Sequence, residues 1–158
     1  LHWKLRNHPK VFSMERTNAR FVEKLPEPVS LVTIDASFIS IKILLPVIHG
    51  WFEQHGEVII LVKPQFEAGR KEVSRGDGVI QDPLIHQQVL ENVLTEAQNL
   101  HYRVTNLIRS PLKGPKGNVE FLAYLEYPGS PNDQLGRLID AVLIPPEPDG
   151  KEEVDSDE

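Results

Sequence analysis

The chain has 158 residues, 40% of them hydrophobic and 25% charged, enough for one globular domain with a real core and too few for two. It has no cysteine, which excludes a disulfide framework and a thiolate metal site and makes a reducing, cytoplasmic setting the simplest one. A formal charge of −6 speaks at first against a polyanionic partner, but Asp149 to Glu158 alone carries a net −5 and leaves −1 for all the rest.

Leu1 opens inside an amphipathic segment, so the expectation is a chain cut from a longer one. No signal-peptide pattern is visible, and the longest apolar stretches, "IKILLPVIHGWF" and "VIILV", are too short or too interrupted to span a bilayer. Val11 to Glu15 ("VFSME") and Val29 to Ile34 ("VSLVTI") read as short strands, the second ending at Asp35. From Ile41 to Phe52 apolar residues fall at helical spacing, with Pro46 predicting a late start or a kink. The strand "EVIILV" then runs straight into Lys63, which Pro64 follows at once. A polar, glycine-containing loop is predicted from Pro64 to Gln81. Asp82 and Pro83 read as an N-cap and first residue of a helix whose stripe is Ile85, Val89, Val93, Ala97 and Leu100. Two final strands, "YRVTNLI" and "VEFLAYL", flank the loop "RSPLKGPKGN". Residues 1–144 form the predicted domain, and 145–158 a solvated, disordered acidic tail.

Strands alternating with helices argue for an α/β sheet of mainly parallel order with flanking helices. The last two strands are joined too closely for a crossover, so they are expected to be antiparallel neighbours. Ligands of such sheets bind beyond the carboxyl ends of the parallel strands, where Asp35 and Lys63 stand. A strand running backwards begins at that same edge, which adds Glu120. Each residue has a plainer alternative. An Asp after a strand equally caps the next helix, a strand-end lysine equally buries its stem with its head in water, and Glu120 equally pairs with Arg109 or Lys116. The basic residues cluster at Lys4, Arg6, Lys10, Arg16 and Arg20, and at Arg103, Arg109, Lys113 and Lys116, which suits either phosphate contacts or a solvated surface. The histidines show no ligand pairing, and no metal is expected.

Five stretches, "WKLRNHPKVFSMERTNAR", "PVSLVTIDASFISIKILLP", "VIILVKPQFEAGRKEV", "GVIQDPLIHQQVL" and "SPLKGPKGNVEFL", together resemble the TlyA or hemolysin A family. These are S-adenosylmethionine-dependent 2'-O-ribose methyltransferases of ribosomal RNA with a catalytic domain of the FtsJ type. The resemblance runs from Leu1 to about Leu125. Ala36 stands where many relatives have valine, a change on a residue without chemistry. The resemblance implies a Rossmann-like methyltransferase sheet, here its third to seventh strands with the last antiparallel. It also implies a Lys-Asp-Lys-Glu catalytic set, of which Asp35, Lys63 and Glu120 match. The first lysine, the glycine-rich cofactor loop, the acid after the second strand and an S4-like RNA-binding domain are expected upstream. Asn18 and Ala19 would follow the third strand, where the cofactor's adenine edge rests, although Asn18 is equally an ordinary turn residue.

On this reading Lys63 stabilises the developing ribose alkoxide or accepts the hydroxyl's proton, Asp35 and Glu120 orient it, and Asp35 also meets the cofactor's amino group. The loops carrying Arg70, Lys71, Lys113 and Lys116 form an RNA-facing rim, against plain solubility. The implied partner is ribosomal RNA or a ribosomal subunit. The fragment alone is expected to be inactive, with an open edge on its fourth strand and association or marginal stability through it. The competing classes are an inactive RNA-binding fragment and a hemolysin-type membrane-active protein, for which no spanning segment or basic amphipathic helix speaks.

Overall fold

The structure is a computed structural model and describes residues 1–144; the expected acidic tail lies outside the described residues. In chain order the elements are α1 (Trp3–Arg6), β1 (Leu31–Ile34), α2 (Ile41–Ile48), β2 (Gly56–Val62), α3 (Pro64–Glu67), α4 (Arg70–Arg75), α5 (Pro83–Asn99), β3 (Arg103–Arg109), β4 (Phe121–Tyr127) and α6 (Leu135–Leu143).

The strands form one sheet in the order β1-β2-β4-β3. β1 and β2 pair in parallel, and β4 lies antiparallel between β2 and β3. Three strands therefore run one way and β4 runs back between two of them, as the short β3–β4 connection required. Alternation then sorts the side chains. Val58, Ile60 and Val62 of β2 and Phe121, Ala123 and Leu125 of β4 are buried, whereas the intervening Ile59, Leu61, Leu122 and Tyr124 are only partly covered. The buried set joins Ile41, Leu44, Leu45 and Ile48 of α2, Val89, Leu90, Val93, Leu94 and Ala97 of α5, and Ile139 and Val142 of α6 in one core. Tyr102 anchors this layer from within, its fully buried hydroxyl donating to the Leu45 carbonyl at 2.8 Å. Burial pushes that phenol well above its ordinary range.

Several expectations are corrected. Val11 to Glu15 is irregular rather than a strand, with Phe12 74% exposed, so the sheet holds the fourth to seventh expected strands and not the third. A strand needs a neighbour to take its backbone groups, and among the described residues none lies beside this segment. α2 starts at Ile41 and continues through Pro46, so the proline does not delay it. The Ser40 hydroxyl, accepting from the Lys42 amide, and the Glu67 carboxylate, accepting from the Ile41 amide, hold the first turn instead. The predicted loop from Pro64 to Gln81 contains α3 and α4. α6 is an element beyond those the sequence predicted. The Asp82 cap and Pro83 start of α5 are as expected, with Asp82 accepting from the Leu84 amide at 2.9 Å.

His86, on α5, is buried against the edge of the Phe121 ring, and its Nε2 lies 3.0 Å from the Ile80 carbonyl oxygen. Burial holds its pKa below the ordinary 6.5; the Ile80 contact opposes this, the Arg109 charge assists it, and the Asp82 charge opposes it.

Two outcomes follow from this packing. Leu45→Ala, at a fully buried position, costs about 2–5 kcal/mol in urea unfolding, while Leu84→Ala, at a position 66% exposed, stays within about 0.5 kcal/mol. The folded-state pKa of His86 is depressed, so its contribution is complete above about pH 6.5 and lost as pH falls below that, where the unfolded chain takes up the proton first. His86→Gln should flatten the fall in the urea midpoint between about pH 7 and about pH 5.

Candidate functional site

Lys63 stands where β2 ends, and Pro64 fixes the next residue as the first of α3. The lysine is held in extended backbone with only 9% of its surface exposed. Its Nζ lies 2.5 Å from Asp35 Oδ1 and 3.4 Å from Ser37 Oγ, with the Phe66 ring centroid 5.9 Å away. The head is therefore not in water, as the plainer reading had it. Asp35 follows β1 and keeps 72% of its side chain exposed. It does not cap α2, because Ser40 holds that place.

Glu120 directly precedes β4. The register ends with Val62 opposite Phe121, so one step further sets Lys63 across from Glu120. Glu120 is 5% exposed and its Oε1 accepts from Gln65 Nε2 at 2.8 Å. The structure thus joins Lys63 to Asp35 and Glu120 to Gln65; neither Arg109 nor Lys116 takes the Glu120 carboxylate. A Cβ at Gly114 would lie 2.1 Å from Glu120 Oε1, so the absence of a side chain there leaves the carboxylate its place.

Asn18 and Ala19 are not hydrogen-bonded to these residues. Asn18 Oδ1 accepts from the Arg20 amide at 3.1 Å and caps a short 3-10 turn, Ala19–Phe21, that packs against α2. The turn role expected as its alternative is therefore present, and its side-chain nitrogen is left to donate elsewhere. On the rim, Arg70 opens α4 and Lys71 and Lys113 are exposed. Lys116 is exposed too, but its Nζ donates to the Asp77 carbonyl at 2.8 Å and lies 3.8 Å from Asp77 Oδ2. Asn118, only 2% exposed, donates to the Gly78 and Pro115 carbonyls and accepts from the Ile80 amide, all at 3.0 Å. The two rim loops are laced together by these bonds.

The sequence reading did not single out Gln65, Glu67, Asn118 or Phe38. All four lie inside the runs "KPQFE", "GNVE" and "DASF", so their signal was adjacency to the chosen residues. Phe38 is 91% exposed in a left-handed backbone conformation (φ 62°), with its ring centroid 4.8 Å from that of Phe66. A bulky residue with positive φ is unusual away from functional segments. Among the described residues no group of three acids or histidines is placed to hold a metal, and no helix is long and apolar enough to cross a membrane.

Residues 1–127 match the profile described as FtsJ-like methyltransferase. The 16S/23S rRNA (cytidine-2'-O)-methyltransferase TlyA of Mycobacterium tuberculosis is 42% identical over 127 residues, covering 79% of this chain and 47% of the relative. Hemolysin A of Brachyspira hyodysenteriae is 38% identical over 127 residues, covering 78% of this chain and 52% of that protein. A solved chain from Streptococcus thermophilus named as a hemolysin superposes with a TM-score of 0.81 at 38% identity, covering 90% of this chain and 54% of the other. The chain spans about half the length of the curated relatives it matches. With Asp35, Lys63 and Glu120 gathered at one sheet edge and a profile matched over most of its length, the chain belongs to the FtsJ-like methyltransferase family.

Proposed function

We propose that this chain supplies the acceptor side of a methyltransferase site that moves a methyl group from S-adenosylmethionine to a ribose 2'-hydroxyl of ribosomal RNA. The observation that carries the proposal is the desolvated Lys63 ammonium held by Asp35 at the carboxyl edge of the sheet. The cofactor, when bound, supplies a methyl group already activated on sulfonium sulfur. The remaining work is to align the hydroxyl and manage its proton. The acceptor oxygen would take that methyl group and give its proton to solvent, since the charged Lys63 cannot accept it, while the electron pair of the broken carbon–sulfur bond would stay on sulfur. Lys63 steadies the negative charge developing on that oxygen, while Asp35 fixes the direction of its Nζ and Glu120 adds negative potential from the opposite strand.

The donor set suits the cofactor. Asp35 is largely exposed beyond its contact with Lys63 and offers a carboxylate to the methionine ammonium. Asn18 keeps a side-chain nitrogen to donate to adenine, with the Ala19 backbone beside it. Phe38 would give an RNA base a stacking face, and Arg70, Lys71, Lys113 and Lys116 would meet phosphates.

Lys63→Ala in the full-length protein should lower methyl transfer to ribosomal RNA by at least roughly 100-fold, with affinity for S-adenosylmethionine kept within a few-fold. Retained transfer in a tritiated-methyl assay would refute the mechanism. RNA filter binding across a salt series separates the rim. Lys113→Ala should reduce the slope of log K against log salt by about one, whereas Phe38→Ala should weaken binding by about 1–3 kcal/mol without changing the slope. Lys116→Ala, whose ammonium is already shared with Asp77, should change the slope less than Lys113→Ala does.

A further inference from the structure

Three consecutive side chains of α3 reach three different parts of the site. Gln65, 7% exposed, donates from Nε2 to Glu120 Oε1 at 2.8 Å. The Phe66 ring lies against Phe38 and within 5.9 Å of Lys63 Nζ. Glu67 accepts from the Ile41 amide on Oε1 at 2.7 Å and from the Ser40 hydroxyl on Oε2 at 2.6 Å. An ionised Glu120 only accepts hydrogen bonds, which fixes the Gln65 amide with its nitrogen toward Glu120.

The chain explains why one short turn does this. Lys63 caps α3 and Pro64 begins it, so the next three residues radiate from a point next to the lysine. Glu67 binds the far end of the segment Asp35–Ser40, whose near end carries the carboxylate on Lys63. Gln65 binds the residue across the sheet from Lys63. We propose that Gln65 and Glu67 are positioning residues for methyl transfer: Gln65 sets the Glu120 carboxylate and Glu67 sets the loop carrying Asp35 against Lys63. This rests on the function proposed above. Neither residue needs to touch the substrate.

The test uses Gln65→Met, Gln65→Glu, Glu67→Gln and Glu67→Ala in the full-length protein. Gln65→Met keeps volume and removes the donor; it should lower the melting temperature, because the nearly buried Glu120 loses its partner, and lower kcat about tenfold or more at temperatures where the variant stays folded, while KM for RNA holds. Gln65→Glu sets two carboxylates together and should lose more activity near pH 7 than near pH 6, where a shared proton restores one hydrogen bond. Glu67→Gln, still an acceptor, should retain more activity than Glu67→Ala. Unchanged kcat in Gln65→Met, or a loss carried only by KM or by melting, overturns the proposal. The hydrogen bond is also read apart from catalysis, in the Gln65 side-chain amide protons by nuclear magnetic resonance. Slow exchange that Glu120→Ala abolishes supports the arrangement, and exchange as fast as that of a free side chain overturns it, whether or not the protein methylates RNA.

Discussion

The site depends on one strand running backwards. β4 enters between β2 and β3 from the edge at which those strands end, so the residue before β4 meets the residue after β2. Glu120 and Lys63 are far apart in sequence and become cross-strand neighbours by register alone. A one-residue slip of β4 would invert its alternation and expel Phe121, Ala123 and Leu125 from the core. The apolar pattern that holds the sheet together therefore also fixes the spacing of the charged residues, and the core's stability guards the geometry of the edge.

Desolvation gives the edge its chemical character. Lys63 and Glu120 are both nearly buried, Lys63 with Asp35 and Ser37 as polar partners and Glu120 with Gln65. Bringing a charged group out of water is unfavourable without such a partner. Asp35 plays the opposite part: it is largely exposed, and its pair with Lys63 is screened on one side by solvent. That asymmetry sets a nearly buried cation against a carboxylate that faces water.

How much of this was legible in the sequence follows from the range of the forces involved. β2 and α5 could be read directly because a β-branched run and an Asp-Pro cap act over a few residues. The convergence of Asp35, Lys63 and Glu120 was legible because it needs only strand direction and order. Val11 to Glu15 was misread because alternation shows what a segment would do beside a neighbour, and none of the described strands accompanies it. α3 and α4 were hidden by their length, since turns of a few residues carry too little apolar periodicity to stand out from a loop. α6 does space Leu135, Leu138, Ile139 and Val142 helically, but no side chain caps its start and it follows a stretch rich in proline, glycine and asparagine.

The partners of the charged residues were the least legible part, and the reason is instructive. Lys63 was expected to be oriented by two carboxylates, yet Gln65 occupies the Glu120 oxygen and leaves Asp35 as the ion-pair partner of the lysine. Register can say that two residues stand opposite each other. It cannot say which side chain reaches which, because that depends on rotamers and on the turn that follows. A glutamine two residues after a lysine looks like loop polarity in sequence, whereas in the fold α3 carries it back across the sheet edge. The division has a chemical logic. Glu120 takes its hydrogen bond from a neutral amide, so the close ion pair of Lys63 falls to Asp35 alone.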